Sequence, residues 1–74
     1  MKISFNKLWK ILIDREMKKK DLINLTGMSS SSMAKLSKNE IVSLEVLIKI
    51  CNVLNCNIGD IMDVINEEKE EIYE

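Results

Sequence analysis

The sequence predicts an all-α fold, a compact domain of five short helices. Three observations carry this prediction. Apolar residues recur at the three- and four-residue spacing that places them on one face of a helix. Ser or Asn precedes several of these segments and can cap the helix N-terminus. The 74-residue chain contains no proline, internal repeat or linker, and its length suits one small domain, near the lower limit for a core without disulfides or metals.

The first helix is predicted at Phe5–Glu16, after an extended segment at residues 1–4 and with Ser4 as its cap. Its apolar arc of about 200° is wider than the stripe of a typical surface helix. The arc consists of Phe5, Leu8, Trp9, Ile11, Leu12 and Ile13. The helix is therefore either central in the fold or partly covered by a second subunit or by the C-terminal tail.

Residues 18–38 carry the pattern around which the rest of the chain is organised, KKKDLINLTGMSSSSMAKLSK. Leu22 and Leu25 lie three apart on one face of a short helix. Gly27 stands where such a helix ends in a left-handed residue, a conformation that glycine adopts most easily. Ser29 can cap a following helix. A helix, a short turn with glycine and a second helix form a helix-turn-helix, whose second helix can enter the major groove of DNA.

The second of these helices has two different faces. Met33 and Leu36 form an apolar stripe, flanked by Ser29 and Ser32. The opposite face is small, polar and basic, with Ser30, Ser31, Ala34, Lys35 and Lys38. A helix that enters a groove lined by phosphates needs short side chains at its N-terminus and positive charge further along. This face therefore predicts DNA contact; the alternative is a solvated surface on an ordinary helical protein.

A run of three lysines, Lys18–Lys20, starts the helix before the turn. Cations are unfavourable at a helix N-terminus because of the macrodipole, so stability does not explain their position. A DNA phosphate lying across this helix end would explain it, since a phosphate accepts bonds from backbone N–H groups and is attracted by lysines. The alternative is a solvated loop.

Two more helices are predicted after Asn39, which can adopt a left-handed C-cap conformation. Ser43 caps the fourth helix, and Asn57 caps a short fifth one. The apolar residues of the fourth helix are Leu44, Leu47, Ile48, Cys51 and Leu54. Those of the fifth are Ile58, Ile61, Met62 and Ile65. We place the domain at residues 1–66 and an acidic tail at residues 67–74.

The net charge is −1, but the charges are unevenly distributed. Residues 1–40 carry nine lysines or arginines against four acidic residues, and residues 41–74 carry two lysines against eight acidic residues. This asymmetry predicts a directional electrostatic surface on the half that contains the helix-turn-helix. The acidic tail is predicted to be frayed and solvated. Ile72 and Tyr73 are unusual in such a tail, and their docking on the first helix or on a partner is the alternative.

Several function classes find no support in the sequence. No apolar run approaches the ~18 residues that span a membrane, and the N-terminus lacks the features of a signal peptide. Cys51 and Cys56 stand in a chain without histidine, which fits neither the usual zinc patterns nor a CxxC redox motif, so we expect buried, reduced thiols. Catalytic pairs and phosphate-binding glycine loops are also absent. We expect a cytoplasmic protein that is not an enzyme and has no cofactor, metal or small-molecule substrate.

Three segments of the chain resemble the Cro/C1-type (XRE-family) DNA-binding domains: KLWKILIDREMKKKDLINLTG, SSSSMAKLSKNE and SLEVLIKICNVLNCNIGDIM. Within that family the chain is most similar to short, stand-alone bacterial regulators, over residues 5–65. The resemblance implies a lambda-repressor-like fold with the helix-turn-helix at helices two and three. The resemblance implies base contacts from Ser30, Ser31 and Lys35, and the exposed face of the helix adds Ala34 as a fourth. The resemblance implies phosphate contacts from Lys19, Lys38 and Ser43. To these we add Lys18, from the lysine run, and Ser29, at the start of the third helix.

This chain departs from the family pattern at the reading positions. Family members often have Gln or Arg where Ser30 and Ser31 stand, and Gln near Lys19. Serine bonds to several bases and discriminates poorly between them. Base reading is therefore expected to depend on Lys35 toward guanine, on Ala34 against a thymine methyl group, and on DNA shape.

We expect a transcriptional regulator, a repressor, that binds double-stranded DNA as a homodimer and inserts its third helix in the major groove. Two copies on half-sites about 34 Å apart add their contacts, whereas one such helix binds weakly. The alternative is a protein-interaction module, an antirepressor or a partner-sequestering subunit, that keeps the fold without operator binding. Control of a neighbouring toxin or restriction system is a third alternative.

Overall fold

Five α-helices and a pair of short strands make up residues 2–65, the part of the chain that the computed structural model describes. In chain order they are β1 (Lys2–Ser4), α1 (Asn6–Asp14), α2 (Lys19–Thr26), α3 (Ser30–Ser37), α4 (Leu44–Leu54), α5 (Ile58–Ile61) and β2 (Asp63–Ile65). The predicted helical class is confirmed, and α2, the turn and α3 form the helix-turn-helix. The tail at residues 67–74, with Ile72 and Tyr73, lies outside the described residues, so the domain boundary stays a prediction.

One cluster of buried apolar side chains joins the helices. Every helix contributes at least one of the large, fully buried members, which are Phe5, Leu8, Leu22, Leu36, Ile50, Leu54 and Ile61. Burying a side chain of this size stabilises a fold by ~1.5–3 kcal/mol. Because α2 packs against both α3 and α4, and α5 packs against α1 and α4, the same core fixes the position of the helix-turn-helix. Within residues 2–65, no helix is long and apolar enough to cross a membrane.

The strand pair was not predicted. β1 and β2 are antiparallel, with Lys2 opposite Ile65 and Ile3 opposite Val64. Residues 2–4 are extended as predicted, but Ile65 belongs to β2 and not to the fifth helix. The helix ends because Met62 takes an extended conformation, with φ −148° and ψ 160°. The β-branched residues that follow favour a strand, and each strand gives the other partners for its backbone groups.

Most of the predicted helix ends are confirmed. Gly27 ends α2 with φ 76°, and Asn39 follows α3 with φ 58°. Ser29 and Ser43 are the N-caps of α3 and α4, and each hydroxyl accepts a hydrogen bond from the backbone N–H three residues on, at 3.1 and 3.2 Å respectively. Asn57 is the N-cap of α5.

The first helix is shorter than predicted. It covers Asn6–Asp14 and not Phe5–Glu16, and its N-cap residue makes no side-chain cap bond. The predicted cap at Ser4 is therefore wrong: Ser4 ends β1, and its hydroxyl accepts a bond from the backbone N–H two residues on, at 3.2 Å. Glu16 has φ 57°, which a right-handed helix does not allow. The apolar arc is not fully buried either, since Ile13 is 73% exposed.

Two predicted apolar stripes differ from the faces that are buried. Leu44 and Ile48 of α4 are 60% and 46% exposed, and Leu25 of α2 is 60% exposed. The buried residues of α4 are Leu47, Ile50, Cys51 and Leu54. Because α4 is apolar on most of its surface, a second set at the same helical spacing fits the sequence, and packing against α2 and α5 selects it. In the helix-turn-helix, the turn residue Met28 is buried in addition to Leu22.

Candidate nucleic-acid interface

The turn between α2 and α3 is held by local hydrogen bonds and by one buried side chain. The Thr26 hydroxyl donates to the carbonyl of Leu22 at 2.7 Å and accepts from the N–H of Met28 at 3.2 Å. The Gly27 N–H donates to the carbonyl of Ile23 at 2.8 Å. Met28 is buried in the core. These contacts connect the end of α2 to the start of α3 and bind the turn to the core.

The outer face of α3 is exposed because Met33 and Leu36 bury the opposite face. All four residues that were predicted to contact bases are exposed on this helix: Ser30, Ser31, Ala34 and Lys35. Lys38 is exposed at the C-cap of α3, where a cation is favoured by the helix dipole. The structure thus brings the predicted reading residues together on one helix, which is the arrangement that a groove-entering helix requires.

Serine hydroxyls form a small network at the start of α3. The Ser29 hydroxyl lies 3.0 Å from that of Ser31 and 3.1 Å from that of Ser32. The Ser31 hydroxyl therefore already has a partner. Within residues 2–65 the Ser30 hydroxyl has no such partner, which makes Ser30 the more available of the two predicted reading serines.

Lys19 is held in place by two contacts from other helices. Its ammonium group donates to the Ser37 hydroxyl at 2.9 Å and lies 4.5 Å from the centre of the Trp9 ring. A cation over an aromatic face at an exposed site is worth ~0.5–1 kcal/mol. The three residues come from α2, α3 and α1, so the charge of Lys19 is fixed relative to the reading helix. Trp9 and Ser37 were not predicted to belong to the site.

The other predicted phosphate contacts are exposed at helix ends. The backbone N–H of Lys18 donates to the Asp21 carboxylate at 2.8 Å. This acid in the first turn of α2 offsets the unfavourable placement of lysines there. Ser29 and Ser43 use their hydroxyls as caps, so the groups that they can offer to a phosphate are backbone N–H groups of helix N-termini.

A basic groove, which we define by its three lysines Lys2, Lys35 and Lys38, lies beside the C-terminal end of α3. It is open and has a volume of about 680 Å³. Its other lining residues are Ile3, Asn39, Glu40 and Ile41. Lys2 was not predicted to belong to the site, because it reaches α3 only through the unpredicted strand β1.

The two cysteines lie away from this surface. Both are free; Cys51 is buried and Cys56 is half-buried. Burial raises the pKa of the Cys51 thiol, and the neighbouring Cys56 raises it further. Within residues 2–65, no group of three or more His, Cys, Asp or Glu residues is placed to hold a metal ion.

Comparison with known proteins decides the family. The sequence profile of the Cro/C1-type helix-turn-helix DNA-binding domain matches residues 7–67. The chain belongs to this family. The resemblance that the sequence motifs indicated is therefore confirmed, and the described α2–α3 unit corresponds to the helix-turn-helix for which the family is named.

A solved structure gives a more detailed comparison. The crystal structure of the transcriptional regulator VanUg is 56% identical in sequence, with a TM-score of 0.85, and the match covers 89% of this chain and 88% of that chain. No match was found among curated proteins. The overall fold of this Cro/C1-type domain is thus shared with a protein described as a transcriptional regulator.

Proposed function

We propose that this Cro/C1-type protein is a cytoplasmic transcriptional regulator, a repressor, which binds double-stranded DNA sequence-specifically with α3 in the major groove. The observation that carries the proposal is the exposed Ser–Lys face of α3, on a helix whose other side is locked in the core by Met33 and Leu36. Membership in a DNA-binding family and similarity to the transcriptional regulator VanUg support it.

In this proposal the exposed face of α3 contacts the bases. Ser30 and Ser31 stand in its first turn and Lys35 one turn further on. Lysine donates to the O6 and N7 acceptors of guanine, and the methyl group of Ala34 can contact a thymine methyl. The Ser31 hydroxyl is already bonded to the Ser29 hydroxyl, which occupies part of its hydrogen-bonding capacity. We therefore expect Lys35 to supply most of the discrimination between sequences.

In this proposal the ends of the helices bind the DNA phosphates. Lys18 and Lys19 lie at the start of α2, and Lys38 lies at the end of α3. The N-termini of α3 and α4, at Ser29 and Ser43, present backbone N–H groups that bind phosphate oxygens. Contacts of this kind fix the register of the protein on the duplex and carry no sequence information directly.

A homodimer is part of the proposal. One α3 presents two exposed lysines and a few serines, too few contacts for tight specific binding by themselves. A second copy on a half-site about 34 Å away makes binding of the second helix an intramolecular event. The partner in this proposal is therefore a second copy of the chain, and the operator has two related halves.

The test is an anisotropy titration of a labelled random duplex at about 50 and 200 mM salt, with the molecular mass in solution measured alongside. We expect binding that weakens steeply with salt and a mass of two chains on DNA. Lys49→Ala is the matched control, because Lys49 is a half-exposed lysine on α4 that pairs with Glu45 at 3.7 Å and lies off the α3 face. A loss of affinity with Lys49→Ala equal to that with Lys19→Ala, whose phosphate contact is expected on any duplex, would contradict the assignment of the interface.

The same titration decides against the protein-interaction alternative. An interaction module with this fold would stay folded, by circular dichroism, and show no DNA binding even at about 50 mM salt. That outcome would overturn the proposed function. Salt-sensitive binding would instead justify selecting the operator from a random library.

A further inference from the structure

We propose that the acidic segment at residues 67–74 binds the basic groove of its own chain and competes with DNA for it. The binding of the segment follows from the placement of charges in the structure. The competition rests, in addition, on the proposed function, because two of the groove lysines, Lys35 and Lys38, are proposed DNA contacts.

The strand pair places the start of this segment beside the groove. Lys2 lines the groove and stands opposite Ile65 in the antiparallel register. The segment therefore begins within two residues of a position paired with a groove-lining lysine. Eight extended residues span at most about 29 Å, and the longest extent of the domain is 43 Å. The segment is therefore long enough to lie along the adjacent groove and too short to span the longest dimension of the domain.

The charges of the segment and of the groove are complementary. Residues 67–74 contain five glutamates and one lysine, and the groove is lined by three lysines and one acid, Glu40. Exposed ion pairs are weak individually, ~0.2–1 kcal/mol, and are screened by salt. Attachment to the same chain compensates for this weakness, because a short link raises the effective concentration to ~mM.

The groove also offers apolar contacts that suit this segment. Ile3 and Ile41 line it together with the lysines, and Ile41 is 81% exposed. The segment carries Ile72 and Tyr73 directly after its glutamates. A purely acidic peptide would leave these isoleucines exposed to water. The segment has both glutamates, which suit the lysines of the groove, and apolar residues, which suit its isoleucines.

Docking of the segment would lower the affinity for DNA without changing the reading face. DNA then binds only the fraction of molecules in which the segment is displaced, and the apparent affinity falls by that fraction. High salt weakens both interactions, so the inhibition is largest at low salt.

The docking is tested by amide chemical shifts in the full-length chain. The variant Glu67→Gln, Glu68→Gln, Glu70→Gln and Glu71→Gln keeps the length and the apolar end of the segment and removes four charges. We expect this variant to shift the amide signals of Lys38, Asn39 and Ile41 relative to the wild type, and the difference to disappear at about 1 M salt. Shift differences confined to residues that follow Met62 in sequence would overturn the proposal.

Concentration distinguishes the chain's own segment from that of a second copy. Shifts at the groove that stay constant over a hundredfold dilution, to about 10 µM, support binding within one chain, because intramolecular contacts do not depend on concentration. Shifts that vanish on dilution would overturn the intramolecular assignment.

The competition is tested with two charge-matched double variants. Glu70→Gln with Glu71→Gln removes two charges from the segment. Asp14→Asn with Asp60→Asn removes two charges from exposed positions on α1 and α5 that do not line the groove. At low salt we expect the first pair to bind duplex DNA more tightly than the second by about threefold or more.

Each outcome has a separate meaning. Equal gains in the two double variants would show an effect of net charge alone and overturn the competition. Groove shifts without DNA binding by any variant would support the docking and overturn the proposed function.

Discussion

Two basic regions of this molecule hold their lysines in different ways. In the first region, Lys19 is fixed by Trp9 and Ser37. In the second, Lys35 and Lys38 line an open groove, and within residues 2–65 no ion pair or side-chain hydrogen bond engages their ammonium groups. Ordering a lysine side chain costs up to ~2 kcal/mol. The contacts of Lys19 restrict its side-chain conformations before DNA binds, which suits a phosphate contact that sets the register of the protein on DNA. The side chain of Lys35 keeps its conformational freedom and can adjust to a base.

The largest expected effect is a loss of stability, and it comes from weakening the core that supports both regions. Leu36 is fully buried on the inner face of α3. Leu36→Ala should lower the free energy of unfolding by ~2–5 kcal/mol, because it removes buried methyl groups and leaves a cavity. Urea denaturation measures this change. The matched control is Leu25→Ala on α2, which is 60% exposed and should change stability by less than ~0.5 kcal/mol. Equal losses in the two variants would contradict the assignment of the buried face.

The second prediction separates the two regions by their effect on DNA. Lys35→Ala should cost ~1–3 kcal/mol of binding to the preferred operator and much less on random duplex, because a base contact is lost. Lys19→Ala should weaken binding to all sequences alike and reduce the salt slope by about 1. Anisotropy titrations of both variants on both DNAs measure these differences. Identical salt slopes for wild type and Lys19→Ala would remove Lys19 from the phosphate contacts.

The third prediction is a smaller loss of DNA affinity. It separates the contribution of the position of Lys19 from that of its charge. Trp9→Leu keeps the lysine and removes the aromatic face beneath it, so binding should weaken by ~0.5–1 kcal/mol with an unchanged salt slope. Trp9→Phe keeps a weaker aromatic face and should fall between the wild type and Trp9→Leu. Urea denaturation of both variants checks that the fold is retained. A reduced salt slope with Trp9→Leu would mean that the phosphate contact itself depends on the ring.

The reading unit could be predicted from the sequence because its determinants are local. The left-handed turn at Gly27, the cap at Ser29 and the buried pair Met33 and Leu36 lie within ten residues of one another, so turn chemistry and helical spacing are sufficient. The same local signals placed the exposed Ser–Lys face on the outside of α3.

The features that were missed join residues far apart in the chain. The strand pair links Lys2 to Ile65, and Lys19 meets Ser37 across a separation of 18 residues. No local pattern marks such contacts, because strand pairing and side-chain contacts depend on how the helices pack. The apolar surface of α4 raises the same difficulty: periodicity allows more than one buried face, and the neighbouring helices decide that Ile50 is inside and Ile48 outside.

The smallest expected effect is a change in stability with pH, and it arises in the core beneath α4. This part of the core lies away from both basic regions and therefore provides a control for them. The pKa of the Cys51 thiol is raised in the folded protein, first by burial and then by Cys56. The unfolded chain therefore loses this proton at a lower pH than the folded chain does. The corresponding stability is fully present below the ordinary thiol pKa of about 8.5 and is lost as the pH rises through the higher folded-state pKa.

Urea denaturation at a series of pH values from about 7 to 10 measures this loss. Cys51→Ala cannot titrate, so the free energy of unfolding of the wild type should fall more steeply with pH than that of the variant, and Cys56→Ala should keep most of the wild-type slope. DNA affinity should not follow this change while the protein stays folded, because Cys51 lies off the α3 face. Parallel pH curves for wild type and Cys51→Ala would contradict the raised pKa. A change in DNA affinity with Cys51→Ala as large as that with Trp9→Leu would show that a core substitution alone changes DNA affinity, and would contradict the assignment of the Trp9 effect to the position of Lys19.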